Sequence, residues 1–121
     1  MESILIVDDD ISLCSVLKEE LAEVGYEAEY VNSGDAAFSY LLQNKVDLLL
    51  LDLKMPEKDG FDVLKELSQK HVNTKIIVLT AYADVKSAID SAKMGASDFI
   101  SKPYDFDELL ITIRKVLQRD T

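Results

Sequence analysis

Short aliphatic, β-rich runs alternate five times with segments of helical periodicity along this 121-residue chain, and that alternation admits one fold class. Residues 3–7 read as a buried strand, and 26–31 as a shorter alternating one. Residues 46–51 are almost wholly aliphatic, as befits a central strand covered on both faces. Residues 75–79 and 97–101 supply the last two strands. Between them, Asp10 can cap a helix carrying Cys14, Leu17, Leu21 and Val24, which Gly25 stops. Asn32 or Ser33 can cap a second helix carrying Ala37, Phe38, Leu41 and Leu42. A loop with Pro56 and Gly60 leads to a third helix through Val63, Leu64 and Leu67. Residues 84–94 form a fourth, closed by Gly95, and 105–117 a fifth with Phe106, Leu109, Leu110, Ile113 and Leu117 on one face. Five βα units without repeats or linkers predict an α/β fold: a doubly wound, five-stranded parallel sheet in the flavodoxin-like order 2-1-3-4-5, one domain over residues 1–121.

The chemistry-bearing residues fall where strands should end. Asp8-Asp9 follow the first, Asp52 the third, Thr80 the fourth and Lys102-Pro103 the fifth. In the 2-1-3-4-5 order the first and third strands flank the switch point, where open α/β sheets bind ligands. Three carboxylates brought together there repel, each close pair costing several kcal/mol at an effective dielectric near ~20. A cation relieves this, and Mg²⁺ suits the site because it takes oxygen ligands and retains waters; Mn²⁺ is a possible substitute. Asp52 could then act as a carboxylate nucleophile toward phosphorus. Lys102 offers a mobile cation and Thr80 a hydroxyl for phosphoryl oxygens. Each residue alone has an ordinary role as cap, loop or surface group; the common edge is what makes them a site. Asp10 reads as a cap, Cys14 as core, and His71, the lone histidine, as a loop residue without a partner.

A formal charge of −10 argues against direct nucleic-acid binding, which needs a basic footprint. No apolar run is long enough to cross a bilayer, and the first apolar segment ends in three aspartates rather than a cleavage site. No membrane association is therefore expected. One cysteine excludes an internal disulfide framework and fits a reducing, cytoplasmic setting.

The segments Ile6-Val7-Asp8-Asp9-Asp10, Leu51 to Gly60, Val78-Leu79-Thr80-Ala81 and Phe99-Ile100-Ser101-Lys102-Pro103 together resemble the CheY-like receiver domain of two-component response regulators, over essentially the whole chain. The resemblance implies that Asp52 accepts phosphate from a histidine kinase or phosphotransfer protein, with only intrinsic autophosphorylation and autodephosphorylation rather than enzymatic turnover. It implies that Asp9, Asp52 and the Lys54 backbone carbonyl ligate Mg²⁺, with Asp8 acting through water. Thr80 and Lys102 would contact the phosphoryl group, across a cis Lys102-Pro103 peptide. Phe99 occupies the switch-aromatic position, and Thr80 with Phe99 would bias the fourth helix, fifth strand and fifth helix, the face on which a homodimer could form. Lys54 and Tyr82 stand where receivers tune dephosphorylation, and both should slow it.

Residues 80–84 and 96–99 resemble receivers of NtrC-type transcription activators, while Thr80-Ala81-Tyr82 with Lys54 also resembles single-domain phosphorelay regulators. The chain ends soon after the last helix, so it is expected to be either a relay protein or the receiver of a longer regulator with an effector domain or downstream protein as output. A flavodoxin-type FMN carrier shares the topology, but Asp8-Asp9-Asp10 would repel its phosphate. A haloacid-dehalogenase-type phosphatase needs an aspartate two residues after its nucleophile, where Lys54 stands.

Overall fold

The structure, a computed structural model, describes residues 1–55, 60–71, 73–81 and 84–118. Elements alternate as β1 (Ser3–Val7), α1 (Ile11–Glu23), β2 (Glu27–Val31), α2 (Gly34–Gln43), β3 (Leu48–Leu51), α3 (Gly60–Lys70), β4 (Lys75–Thr80), α4 (Val85–Lys93), β5 (Asp98–Ser101) and α5 (Phe106–Gln118). All strands are parallel, in the order β2-β1-β3-β4-β5.

Alternation along each strand divides the core into two layers. Ile4, Ile6, Leu48, Leu50, Ile77 and Leu79 meet Cys14, Leu17 and Leu21 of α1 and Leu109, Ile113 and Val116 of α5. Leu5, Val7, Leu49, Leu51, Ile76 and Val78 meet α2 and α3 through Ala37, Leu41, Val63, Leu64 and Leu67. Met94 and Ala96, just past α4, close the edge of the second layer. Each fully buried aliphatic side chain contributes about 1.5–3 kcal/mol, so the two layers hold the sheet edges in fixed relation.

Several boundaries move. Val46 is buried but precedes β3, and Tyr26 precedes β2. Asp84 and Asp105 lie outside their helices as caps, accepting from Ser87 N and Asp107 N. Ser33, not Asn32, caps α2, because its hydroxyl reaches Ala36 N. Val24 and Leu42 face solvent rather than core. Val24 is the C-cap, where the helical path ends, and Leu42 is rotated one residue away from buried Leu41. On α5, Val116 rather than Leu117 is fully enclosed.

Candidate functional site

Ladder hydrogen bonds carry the strand ends into one plane. Asp52 N donates to Val7 O at 2.9 Å, one step beyond the β1–β3 pair Val7–Leu51. Lys102 N donates to Thr80 O at 2.9 Å, one step beyond the β4–β5 pair Thr80–Ser101. Asp8 N donates to Val31 O of β2 at 3.2 Å. The outer rungs of three strand pairings therefore set the positions of two acids, a hydroxyl and an amine. Thr80 is completely buried, and the Lys102-Pro103 peptide is cis.

Carboxylate oxygens of Asp8, Asp9 and Asp52 all lie within 4.8 Å of one another. Asp8 and Asp52 are 2% and 6% exposed, whereas Asp9 faces solvent. Burial is what distinguishes this group from a solvated acidic loop. The two buried carboxylates are held alike. Asp10 N donates to Asp8 Oδ1 at 2.9 Å, and Lys54 N to Asp52 Oδ1 at 3.0 Å. Lys102 Nζ reaches the second oxygen of each, at 2.7 Å for Asp8 and 3.4 Å for Asp52.

Burial pushes the Asp8 carboxyl above its ordinary value, and the Lys102 bond offsets this only in part. Burial also disfavours the Lys102 ammonium, yet the bond to Asp8 and the charges of Asp8 and Asp52 outweigh it, holding the amine above its usual range. The difference follows from depth, since the Asp8 side chain is 3% exposed and that of Lys102 is 18% exposed. One ammonium thus leaves a cluster of three acids undercompensated. Hard oxygen donors, an exposed member and residual negative charge fit a divalent cation such as Mg²⁺.

Two neighbours support Asp8 from beneath. Asn32 Nδ2 donates to Asp8 O at 2.8 Å, and Cys14 Sγ lies 3.5 Å from the same carbonyl. Burial and the surrounding acids push the Cys14 thiol up to about 12. Asn32 was legible in the sequence only as a cap; a polar side chain immediately after the strand adjoining Asp8 was the available signal. Phe99 is half-buried, pairs in register with Val78 and packs against the core layer that contains it. Lys54 is exposed, and Tyr82 lies outside the described residues. His71 sits at the end of α3, remote from the acids in the fold, its backbone N donating to Leu67 O. No described helix is long and apolar enough to cross a membrane.

Residues 4–114 match the response regulator receiver domain family. The chain is 44% identical over 119 residues to the transcriptional regulatory protein CpxR of Klebsiella pneumoniae, covering 98% of this chain and 50% of that protein. It is 40% identical over 114 residues to the transcriptional regulatory protein ZraR of Escherichia coli, covering 94% of this chain and 26% of that one. The chain thus spans between about a quarter and a half of these curated relatives. Among solved structures, the response regulator TrrA of Thermotoga maritima in complex with Mg(2+)-BeF superposes with a TM-score of 0.86 at 37% identity, covering 96% of this chain and 99% of that one. The non-phosphorylated HemR receiver domain of Leptospira biflexa gives 0.92 at 31%, covering 100% and 98%. The acids and the lysine met at the strand ends therefore sit in a known frame: this chain belongs to the receiver domains of two-component response regulators.

Proposed function

We propose that Asp52 is the phosphoacceptor, receiving a phosphoryl group from a histidine kinase or phosphotransfer protein in a Mg²⁺-dependent step. The observation that carries this reading is the bridge of Lys102 between buried Asp8 and Asp52, beside exposed Asp9. Asp9, Asp52 and the Lys54 backbone carbonyl would hold the ion, with Asp8 engaged through water; Mn²⁺ is compatible with the same donors. A cation bound there supplies charge neutralisation and Lewis acidity toward the phosphoryl oxygens.

An Asp52 carboxylate oxygen attacks phosphorus while the phosphorus–nitrogen bond to the donor imidazole breaks toward the ring. The ring leaves as neutral imidazole, because its other nitrogen carries the proton. Lys102 then exchanges its weaker contact, 3.4 Å to Asp52, for a phosphoryl oxygen while keeping Asp8. The Thr80 hydroxyl donates to another oxygen. The chain needs no second substrate of its own, and only autophosphorylation by small donors and autodephosphorylation accompany this role. Hydrolysis is slowed by the Lys54 side chain and the Tyr82 ring; Lys54→Asn and Tyr82→Ala should each shorten the lifetime of the phosphorylated form.

Movement of Thr80 toward the phosphoryl group vacates volume for Phe99 and shifts the population of two arrangements of α4, β5 and α5. Exposed Ile89 on α4 and Ile111 on α5 support homodimer formation on that face once it rearranges. The named functions of the relatives support an output to transcription through an effector domain of a longer regulator. A single-domain relay handing its phosphoryl group to a downstream protein is the alternative. The domain is read as one unit over residues 1–121, acting in the cytoplasm.

Intact-mass measurement with a small phosphodonor, with and without Mg²⁺, tests the reading. A Mg²⁺-dependent adduct of one phosphoryl group, absent from Asp52→Asn, is expected. No adduct on folded protein would reduce the domain to an interaction scaffold.

A further inference from the structure

At the opposite end of the sheet, where strands begin, the last turns of α3 and α4 and the start of β4 enclose a cleft of about 600 Å³. Lys65, Lys75 and Lys93 line it, with Gln69, Asn73 and Thr74 between them. No carboxylate is among its described lining residues, in a chain of 23 acidic and 13 basic side chains. An adjoining hollow shares Asn73 and Thr74 and adds Lys45, Lys70 and His71, again with no acid among its described lining. The described lining of both hollows is therefore basic or neutral, although Glu66 pairs with Lys70 nearby at 3.4 Å.

Helix ends explain part of this. A helix C-terminus carries about half a negative charge, and Lys70 of α3 and Lys93 of α4 occupy last turns. Two such ends call for about one positive charge; Glu66 already pairs with Lys70 at 3.4 Å, and Lys93 together with Lys65 exceeds what remains. Lys65 and Lys93 are exposed, and neither side chain makes a hydrogen bond or ion pair among the described residues.

The walls are fixed in place. Ser68 Oγ donates to Met94 O at 2.6 Å, tying the end of α3 to the end of α4. Thr74 Oγ1 donates to Val46 O at 2.8 Å. Gly95, at φ 109°, presses so closely on Ser68 that a Cβ there would lie 2.5 Å from the serine Cβ. A preformed concave site of this volume matches a small molecule rather than an extended chain. Gln69 and Asn73 add amide donors beside the amines.

We propose that this cleft binds a small polyanion, a molecule of nucleotide size carrying two or more phosphate or carboxylate groups, at a site separate from the carboxylate pocket. Lysines act there as mobile point charges gathered on one concave surface.

Titration of the full chain with inorganic pyrophosphate in metal-free, low-salt buffer, followed by amide NMR shifts, tests it. Saturable shifts are expected at Lys65, Ser68, Lys93 and Gly95, with none at Thr80 or Lys102. The double variant Lys65→Gln/Lys93→Gln should weaken binding roughly tenfold, and Asp52→Asn should leave it unchanged. Both lysines are exposed, so the variant keeps its fold, which amide dispersion verifies directly. Non-saturating shifts, shifts centred on Lys102, or equal affinity in the double variant would overturn the proposal. So would an oligoglutamate peptide that saturates the cleft at lower concentration than pyrophosphate, which would assign it to an acidic protein segment.

Discussion

Lys102 Nζ is 2.7 Å from Asp8 Oδ2, the shortest and most enclosed ion pair among the described residues. It occupies the electrostatic place that a metal ion would share. On the proposed reading, a cation held by these carboxylates would compete with the lysine, although both would favour an incoming phosphoryl group.

Lys102→Met should separate these roles. Without Mg²⁺ the variant loses about 3 kcal/mol of stability by thermal or urea unfolding, because Asp8 is left buried without its partner. Mg²⁺ should restore much of that loss and bind several-fold more tightly than to wild type. Phosphoryl transfer should nevertheless fall by at least tenfold. Equal Mg²⁺ affinity in variant and wild type would show that the lysine does not compete.

Acidification should weaken Mg²⁺ binding earlier than for an ordinary aspartate cluster. Burial raises the folded-state value of Asp8 above 3.8, so its proton is held in the folded protein at pH values where a free aspartate is ionised. In metal-free protein this protonation favours folding: the contribution is complete below 3.8 and disappears as pH rises through the raised value. For the metal-bound protein the sign reverses, because the cation requires the carboxylate. Mg²⁺ affinity measured calorimetrically as pH is lowered should begin to fall at a higher pH than for a solvent-exposed aspartate cluster, and Asp8→Asn should flatten the fall.

Cys14 should be unreactive in the folded state. Its thiol is fully buried and its value is raised from 9.0 to about 12, so alkylation at mild alkaline pH should proceed only through unfolding. Above 9.0 the unfolded chain releases this proton while the folded chain keeps it until about 12. Stability is therefore lost with rising pH across that interval, by up to about 1.4 kcal/mol per pH unit. Lys102 and Tyr104, both raised, lose stability in the same alkaline direction. Comparison with Cys14→Ala isolates the thiol, and an unaltered alkaline slope would remove its part.

Asn32→Ala should loosen the metal site without touching an acid. The amide donates to Asp8 O at 2.8 Å, and its loss should cost about 1 kcal/mol of stability. Mg²⁺ affinity should drop several-fold, while Asn32→Asp, lacking the amide donor, should not rescue it. A variant that loses stability yet retains full Mg²⁺ affinity would confine Asn32 to the fold.

The strand order was legible because each strand is a short aliphatic run and each helix shows its own period. Asp8, Asp52, Thr80 and Lys102 were legible for a related reason: in a parallel sheet every strand ends at the same edge, so sequence position reports spatial position. Aliphatic character alone does not separate Leu41 from Leu42, which the helix turns to opposite environments, one buried and one exposed. Asn32 was missed as a support because its partner is a backbone carbonyl 24 residues away, and carbonyls leave no mark in a sequence. The basic cleft was invisible for the opposite reason, since its lysines are scattered through α3, β4 and α4 and meet only where helix ends and strand starts come together.

The pair joining Asp8 to Lys102 spans 94 residues. During synthesis the acids of β1 and β3 emerge first and wait for a counter-charge that leaves the ribosome near the end of the domain. Until β5 docks on β4 these acids lack the Lys102 amine. The final βα unit therefore completes the electrostatics of the carboxylate pocket, and a chain that stops before β5 leaves Asp8 and Asp52 without their shared ammonium.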